Sequence, residues 1–524
     1  MISRRKLLKL VSGVPGFMLG LWASTSKTSG LVTTGKFPKP NNLYQSLGVR
    51  PLINARGTVT VLGACRMLPE VQQAMEEASK EYVQLDELME GVGRKLGELT
   101  GTEWGIVTSG ASGAITAGTA GCIAGGDPDK IWQLPDLTGM KDEVIIPSYS
   151  RSAYDAAARA VGAKMVEVDS AEQLKAALGP RTAMIMVLAG GRSENGPLSL
   201  REIAALAKPM SVPILVDAAA EGLPVPNPHI AQGADLVAYS GGKYLQGPQC
   251  SGLLLGRKDL VQASWISVAP HHGFGRGYKV GREEIMGALA AVEVWMKRDH
   301  TRIMKLWNSR LEFISWRLAG IPGVYTEIRQ PRGRSNPSPN LAVQWDPNLI
   351  PYTGQEVEQL LWNGNPRIAV SGAGSYLPFP PNLNPNISIN SSQLEDGEEA
   401  AIADRVYEIL QNPRPRAVKK DSPAANIAGQ WDVEMRFSAS TVNQRFDIEQ
   451  SGRDLLGRHH ASFADRTLSG SVQGKDVLLR SSYTGQGVRL NFEFTGTVSD
   501  NTMRGEVSMG EYGLAEWQAK RRIS

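Results

Sequence analysis

"YSGGKYLQGPQCSG" spans Tyr239–Gly252 and sets a lysine behind two glycines at the end of an apolar run. The residues before it, Ala-Asp-Leu-Val-Ala-Tyr-Ser (234–240), have the pattern of a strand. Surface lysines are usually flanked by polar residues, so Lys243 is placed, not incidental. In an apolar pocket the charged form of a lysine is disfavoured, and its amine becomes a usable nucleophile toward an aldehyde.

Outward from this segment the chain alternates short apolar runs with helical patterns. Strands are expected at 104–109 (WGIVTS), 143–148 (EVIIPS), 164–168 (KMVEV), 183–189 (AMIMVLA), 213–218 (PILVDA), 236–240 (LVAYS) and 250–256 (CSGLLLG). Helical segments such as AYDAAARAVG and SLREIAALAKP lie between them, which predicts an α/β fold with a mostly parallel, helix-covered sheet. Residues 45–290 make the large domain of this reading, and 291–411, with a long helix and weaker strand patterns, a small α/β domain. A proline-rich, charged linker follows at 412–426. From 427 to 524 the texture changes to alternating apolar positions broken by Gly, Asn and Asp, which predicts an antiparallel β-sandwich or small barrel. Its aromatic residues, Trp431, Phe437, Phe446, Phe492, Phe494 and Trp517, are expected to form its core.

Pyridoxal 5'-phosphate (PLP) is the commonest aldehyde held by a protein lysine. A site for it also needs a phosphate cradle, an acid for the ring nitrogen and a cover for the ring. TSGASGAITAG (108–118) follows an expected strand and opens a small-residue helix, so the backbone N–H groups around Ser109, Gly110, Ala111 and Ser112 suit a phosphate. Asp217 ends an apolar strand, where a buried acid needs a cationic or hydrogen-bonding partner. Helix capping is the alternative use of such an Asp. Lys243 follows at the end of another strand, and Ser240, three residues before it, offers a hydroxyl to the phosphate.

Asp217, YSGGKYLQGPQCSGLL and GRGYKVGREEIMGALAA (275–291), together with PLINARGTVTVLGACRMLPEVQQAM (51–75) and VTSGASGA, resemble the bacterial selenocysteine synthase-like branch of the fold-type I PLP enzymes. The likeness covers about residues 45–410. It implies a seven-stranded sheet and PLP carried by Lys243, with Asp217 on the ring nitrogen and Ser109 to Ser112 plus Ser240 on the phosphate. Lys243 is then the residue that moves the substrate α-proton. In SYSRSAYD (148–155) Tyr149, Arg151 and Tyr154 are candidates to cover the ring, and Tyr154 is chosen. Arg56 and Arg282, with Lys279 behind them, are the candidates for a substrate carboxylate, surface charge being the alternative reading. His271 and His272 are candidates for the pocket mouth. The resemblance further implies a homodimer or larger assembly.

The activity implied is Cα deprotonation of a small amino acid or amino sugar acid with β-elimination or replacement. Selenium transfer on seryl-tRNA, transamination and racemisation are the alternatives within the branch. Outside it, Ser240-Gly-Gly-Lys243 formally matches the Ser-x-x-Lys of serine β-lactamases, and Ser499-Asp500-Asn501 the second motif, but no Lys-Thr-Gly completes the set.

The chain begins MISRRKLLKLVSGVPGFMLGLWAS, a basic start and an apolar stretch too short for a span. Arg4-Arg5 resembles a twin-arginine export signal, so residues 1–26 are expected to be a signal and 27–44 a spacer. Ala23-Ser24-Thr25 is the nearest cleavage candidate, and an uncleaved signal would be the protein's contact with a membrane. The full chain has 56 basic and 52 acidic residues, and the signal carries Arg4, Arg5, Lys6 and Lys9 with no acid. The mature chain is thus near neutral, which argues against nucleic acid as substrate. Cys65, Cys122 and Cys250 are too far apart for a metal motif or a disulfide framework, so no metal is expected.

Overall fold

The structure is a computed structural model that describes residues 43–371, 384–413, 423–485 and 487–522. The expected signal, most of the spacer and most of the linker lie outside the described residues. Residues up to Pro51 form a unit of their own, whose described part is an exposed 3-10 turn, Gln45–Leu47, ended by Gly48 at φ 71°. Everything from Leu52 onward is a second unit.

This second unit opens with a two-residue strand β1 (Ile53–Asn54). The large sheet is built from β2 (Trp104–Ser109), β3 (Glu143–Pro147), β4 (Lys164–Val168), β5 (Thr182–Leu188), β6 (Ile214–Asp217), β7 (Leu236–Ser240) and β8 (Ser251–Gly256). All seven expected strands are present. Their order is β2-β8-β7-β6-β5-β3-β4, parallel from β7 to β4, with β8 antiparallel to both β7 and β2. Helices cover the sheet, so the central strands β6 and β8 are buried along their whole length and read as unbroken apolar runs.

The helix Gly110–Ala124 is made almost entirely of small residues because it lies pressed on this sheet. A Cβ on Gly118 would stand 2.5 Å from a Leu215 methyl, and one on Gly121 would stand 2.6 Å from Ser264 Oγ. The close seat fixes where the helix begins, at the C-terminal edge of β2.

A second core gathers around β9 (Val324–Arg329), β10 (Asn340–Trp345) and β12 (Asn386–Asn390), an antiparallel sheet packed by the helices His300–Leu318 and Glu398–Gln411. Ile53 and Ala55 join this core, and β1 pairs with β11 (Ile368–Ala369). The second unit therefore opens in the small lobe before its chain enters the large one.

The third core is a closed antiparallel barrel of β13 (Gly429–Arg436), β14 (Thr441–Ser451), β15 (Asp454–His460), β16 (Arg466–Gln473), β17 (Asp476–Gly485), β18 (Val488–Ser499), β19 (Thr502–Ser508) and β20 (Leu514–Arg521). Each strand pairs with the next, and β13 pairs with β20 from Trp431↔Arg521 to Arg436↔Glu516. That seam decides between the sandwich and the barrel left open by the sequence, and it removes both free edges. Inside, Phe446, Phe494 and Trp517 meet edge to face or tilted at 5.0 to 6.2 Å. Phe437 packs at the margin of this core, partly buried.

No described helix is long and apolar enough to cross a membrane. Among the described residues no cluster of His, Cys, Asp or Glu could hold a metal. The three cysteines are free, and burial pushes the Cys65 and Cys122 thiols up to about 12, the behaviour of small packing residues.

Candidate active site

The turn that carries Lys243 is built against the start of β8. A Cβ on Gly241 would lie 2.1 Å from Ser251 Oγ, and one on Gly242 would lie 2.6 Å from Gln249 Cα. The Gly241 N–H donates to Ser251 O at 2.9 Å, and the Gly247 N–H to Gly241 O at 2.8 Å. Two glycines are thus required for the chain to leave β7, turn tightly under residues 249–251 and present the lysine beyond the strand end. Lys243 is mostly buried, and burial lowers its pKa while the nearby Asp217 carboxylate opposes the change.

Asp217 ends β6, the strand next to β7, and is 3% exposed. Its Oδ1 accepts the Ala219 N–H at 3.0 Å. Burial raises its pKa, while the Ala219 N–H and Lys243 pull it down and the buried Asp155 adds to the rise. Asp217 is thus a buried carboxylate at a strand end whose burial outweighs the pull of Lys243, and among the described residues no ion pair reaches it. A protonated ring nitrogen of a bound cofactor would add a cation there.

The phosphate end fits as well. Ser109 ends β2 and precedes the helix Gly110–Ala124, and its Oγ is buried without a hydrogen-bond partner among the described residues. Gly113 shares this space, since a Cβ there would stand 2.5 Å from Ser109 Oγ. Gly110 takes φ 75°, and Gly252 passes so close that its Cβ would sit 2.3 Å from the Gly110 carbonyl carbon. Ser240 pairs with Gly252 across β7 and β8, which brings its end of the strand to the same cradle. Ser109, Gly110, Ala111 and Ser112 thus open a 15-residue helix whose free N–H groups and dipole favour an anion, with one buried hydroxyl already unsatisfied. These residues fit PLP.

Other expected residues are placed differently. Arg282 opens the helix Arg282–Lys297, where its Nε donates to Ala78 O at 3.0 Å and its Nη2 to Ser79 O at 3.2 Å. It also pairs with Glu283 at 3.0 Å and lies over the Tyr82 ring. In this structure its fork holds the end of the helix Pro69–Ala78. Arg56 follows β1, its own N–H donating to Asn54 Oδ1 at 3.1 Å, and a Cβ on its neighbour Gly57 would meet the Asn390 side chain at 3.5 Å, at the edge of the small lobe. Tyr154 is 57% exposed, and Tyr149 donates its hydroxyl to Leu198 O at 2.7 Å. Arg151 holds Asp155 at 2.5 Å and Glu167 at 2.8 Å. His271 is tied to Asp86 at 3.1 Å and stacks edge-on to Trp265, away from any metal role. Ser240 ends a strand and not a helix start, and Ser499 ends β18 in the barrel, so the β-lactamase match is formal only.

The sequence reading passed over two features. Glu221, four residues past Asp217, is fully buried between His229 at 2.8 Å and Arg334 at 3.6 Å. Arg334 also meets Glu194 at 3.2 Å. It belongs to a strap from the small lobe: the Ser335 hydroxyl donates to Ala189 O at 3.1 Å, the Asn336 N–H to Ala220 O at 2.7 Å, and Ser338 Oγ meets the Tyr244 hydroxyl at 3.1 Å. The strap crosses the ends of β5 and β6 and the residue after Lys243. Its sequence, RGRSNPSPN (332–340), has no periodicity, and only its partners on the large sheet reveal it.

Residues 70–265 match the family model described as Cys/Met metabolism PLP-dependent enzyme. The chain is 31% identical over 385 residues to D-glucosaminate-6-phosphate ammonia lyase of Salmonella typhimurium, covering 71% of this chain and 98% of the relative. It is 26% identical over 288 residues to L-seryl-tRNA(Sec) selenium transferase of Proteus mirabilis, covering 49% and 59% of the two chains. The solved structure of a D-glucosaminate-6-phosphate ammonia-lyase superposes with a TM-score of 0.63 at 30% identity, over 71% of this chain and 99% of that one. With Lys243, Asp217 and the Ser109 cradle in place, the chain belongs to the Cys/Met metabolism PLP-dependent enzymes, close to D-glucosaminate-6-phosphate ammonia-lyase and to the selenocysteine synthase-like enzymes.

Proposed function

We propose that the protein is a lyase that removes the α-proton of a small amino acid or amino sugar acid and expels or exchanges the β-substituent. The observation that carries the reading is that Asp217 ends one strand and Lys243 follows the end of the adjacent one, near a helix N-terminus whose buried hydroxyl is unsatisfied among the described residues. PLP, when bound, supplies an electron sink for the charge left at the substrate Cα. The chain's own residues do the rest. Asp217 keeps the ring nitrogen cationic by giving it a buried counter-charge. Lys243, its ammonium disfavoured by burial, takes up and returns the proton at its Nζ. Ser109 and the helix start anchor the phosphate, and the 334–338 strap walls the strand ends from solvent.

The Salmonella relative is a D-glucosaminate-6-phosphate ammonia lyase, and its match along nearly its whole length supports an amino sugar acid as substrate. The near-neutral mature chain favours a small molecule over tRNA. The test is release of ammonia and a 2-keto acid from D-glucosaminate-6-phosphate, serine and cysteine, with K243A as the blank. Keto acid formed only when an amino acceptor is added would make the enzyme a transaminase and overturn the reading.

Two further proposals rest on the sequence. The Arg4-Arg5 signal supports export to the periplasm, which cell fractionation of the full chain tests. The family resemblance supports a homodimer, and a monomer by light scattering with full cofactor occupancy would refute it.

A further inference from the structure

The barrel interior is apolar except at one end. There Arg466 opens β16 opposite His459 and is 6% exposed. Among the described residues its Nε and Nη1 are buried without a hydrogen-bond partner, and its guanidinium lies 4.2 Å from the Phe492 ring centroid. A buried cation without an anion is costly, and folded proteins normally pair it.

The neighbours do not neutralise Arg466. His459 is fully buried, with Nδ1 accepting from the Ser481 hydroxyl at 2.8 Å and Nε2 bonded to Gln444 Oε1. Burial, with Arg466 and His460 behind it, pushes the His459 pKa down to about 3, so the ring is neutral and adds no second charge. The carboxylates at this end are engaged elsewhere. Asp447 and Asp465 hold His460 at 3.0 and 2.9 Å, Asp447 also meets Arg445 at 3.1 Å, and Glu493 pairs with Arg480 at 2.8 Å. Burial alone accounts for the lowered Arg466 pKa, with no carboxylate opposing it.

The same end faces the rest of the protein. Thr467 pairs with Ser482, and from there β17 and β18 run on to the pair Gly485↔Val488. A Cβ on Gly487, next to Val488, would stand 2.3 Å from Ser152 O and 2.7 Å from Asp155 Oδ2. The end of the barrel that holds the unpaired cation is therefore the end docked on the α/β body.

We propose that this end of the barrel binds a small anionic group, a carboxylate or a phosphate, which Arg466 receives in its fork while the apolar part of the ligand rests on Phe492. The site stands on a different core from Lys243 and needs neither the cofactor nor the substrate of the reaction.

Isothermal titration calorimetry of the cofactor-loaded full-length protein with acetate, benzoate and inorganic phosphate tests this. One of them is expected to bind saturably to wild type, and the comparison of carboxylates with phosphate tells which group the site takes. Arg466→Met is expected to weaken that binding at least about tenfold. In buffer without the anion R466M should melt no lower than wild type, because a buried unpaired charge has been replaced by an apolar chain of similar length. Should R466M not fold, Arg466→Gln, which keeps a hydrogen-bonding group, is expected to show the same loss. No saturable binding of any of the three to wild type overturns the proposal. So does binding that survives unchanged in the variants, since the anion then sits at the cofactor site or on the surface.

Discussion

Lys243 and Asp217 face each other as two groups whose burial favours their neutral forms, and that state is stable only until a cation is placed beside the acid. An acid whose folded pKa is raised holds more protons than the unfolded chain between 3.8 and its folded value, so it takes away stability as pH rises through that window. In cofactor-depleted protein the melting temperature of Asp217→Asn is expected to exceed that of wild type by a margin that grows with pH. Loading wild type with PLP should close the margin. Lys243→Ala is expected to lose the visible band of the bound cofactor and at least about a thousandfold in turnover, since covalent and proton-transfer roles fall together. Ser109→Ala removes one charge-assisted bond to the phosphate and should weaken cofactor binding roughly 10- to 100-fold, read by titration of the apoprotein. The gathering of Lys243, Asp217 and Ser109 at strand ends was legible because each follows or closes an apolar run, where a polar residue has few structural uses. Arg282 was not, because an arginine in a polar segment gives no sign of whether its fork meets a ligand or the carbonyls of Ala78 and Ser79.

At the scale of elements, the site is set by how closely two turns approach. Gly252 of β8 and Gly110 at the helix start touch backbone to backbone, with no flexible side chain to yield. Gly252→Ala should therefore cost about 1–3 kcal/mol by overpacking and, by displacing Gly110, weaken cofactor binding as well. Chemical denaturation and cofactor titration together check this, and a stability loss with unchanged cofactor affinity would separate the cradle from the turn. The seven strands were readable to within a residue or two, because all but the edge strand β4 are buried on both faces and leave no alternation to misread. The strap at 334–338 was not readable, since its hydrogen bonds go to Ala189 and Ala220, more than a hundred residues upstream. Glu221 was missed for a related reason: its partners His229 and Arg334 come from a later helix and from the other lobe.

The whole molecule has three cores, and the barrel has its own response to acid. His459 is neutral when folded, with a pKa near 3 against 6.5 in an unfolded chain, so the unfolded state binds the extra proton between those values. Its contribution is present above pH 6.5 and is lost as pH falls toward 3. His459→Gln is expected to flatten the acid side of the barrel's stability, measured as the difference in melting temperature between pH 7 and pH 4. Short alternating strands announced a β-module, yet closure rests on β13 meeting β20, a pairing between strands with no local sequence signal. That seam has a consequence for folding. It joins the first strand of the barrel to the last, so the pairing with the longest intervening stretch of chain must form before either edge is covered. A chain that stops short of it exposes β13 and β20 as two open edges, and dilution during refolding then favours closure within one chain over pairing between chains.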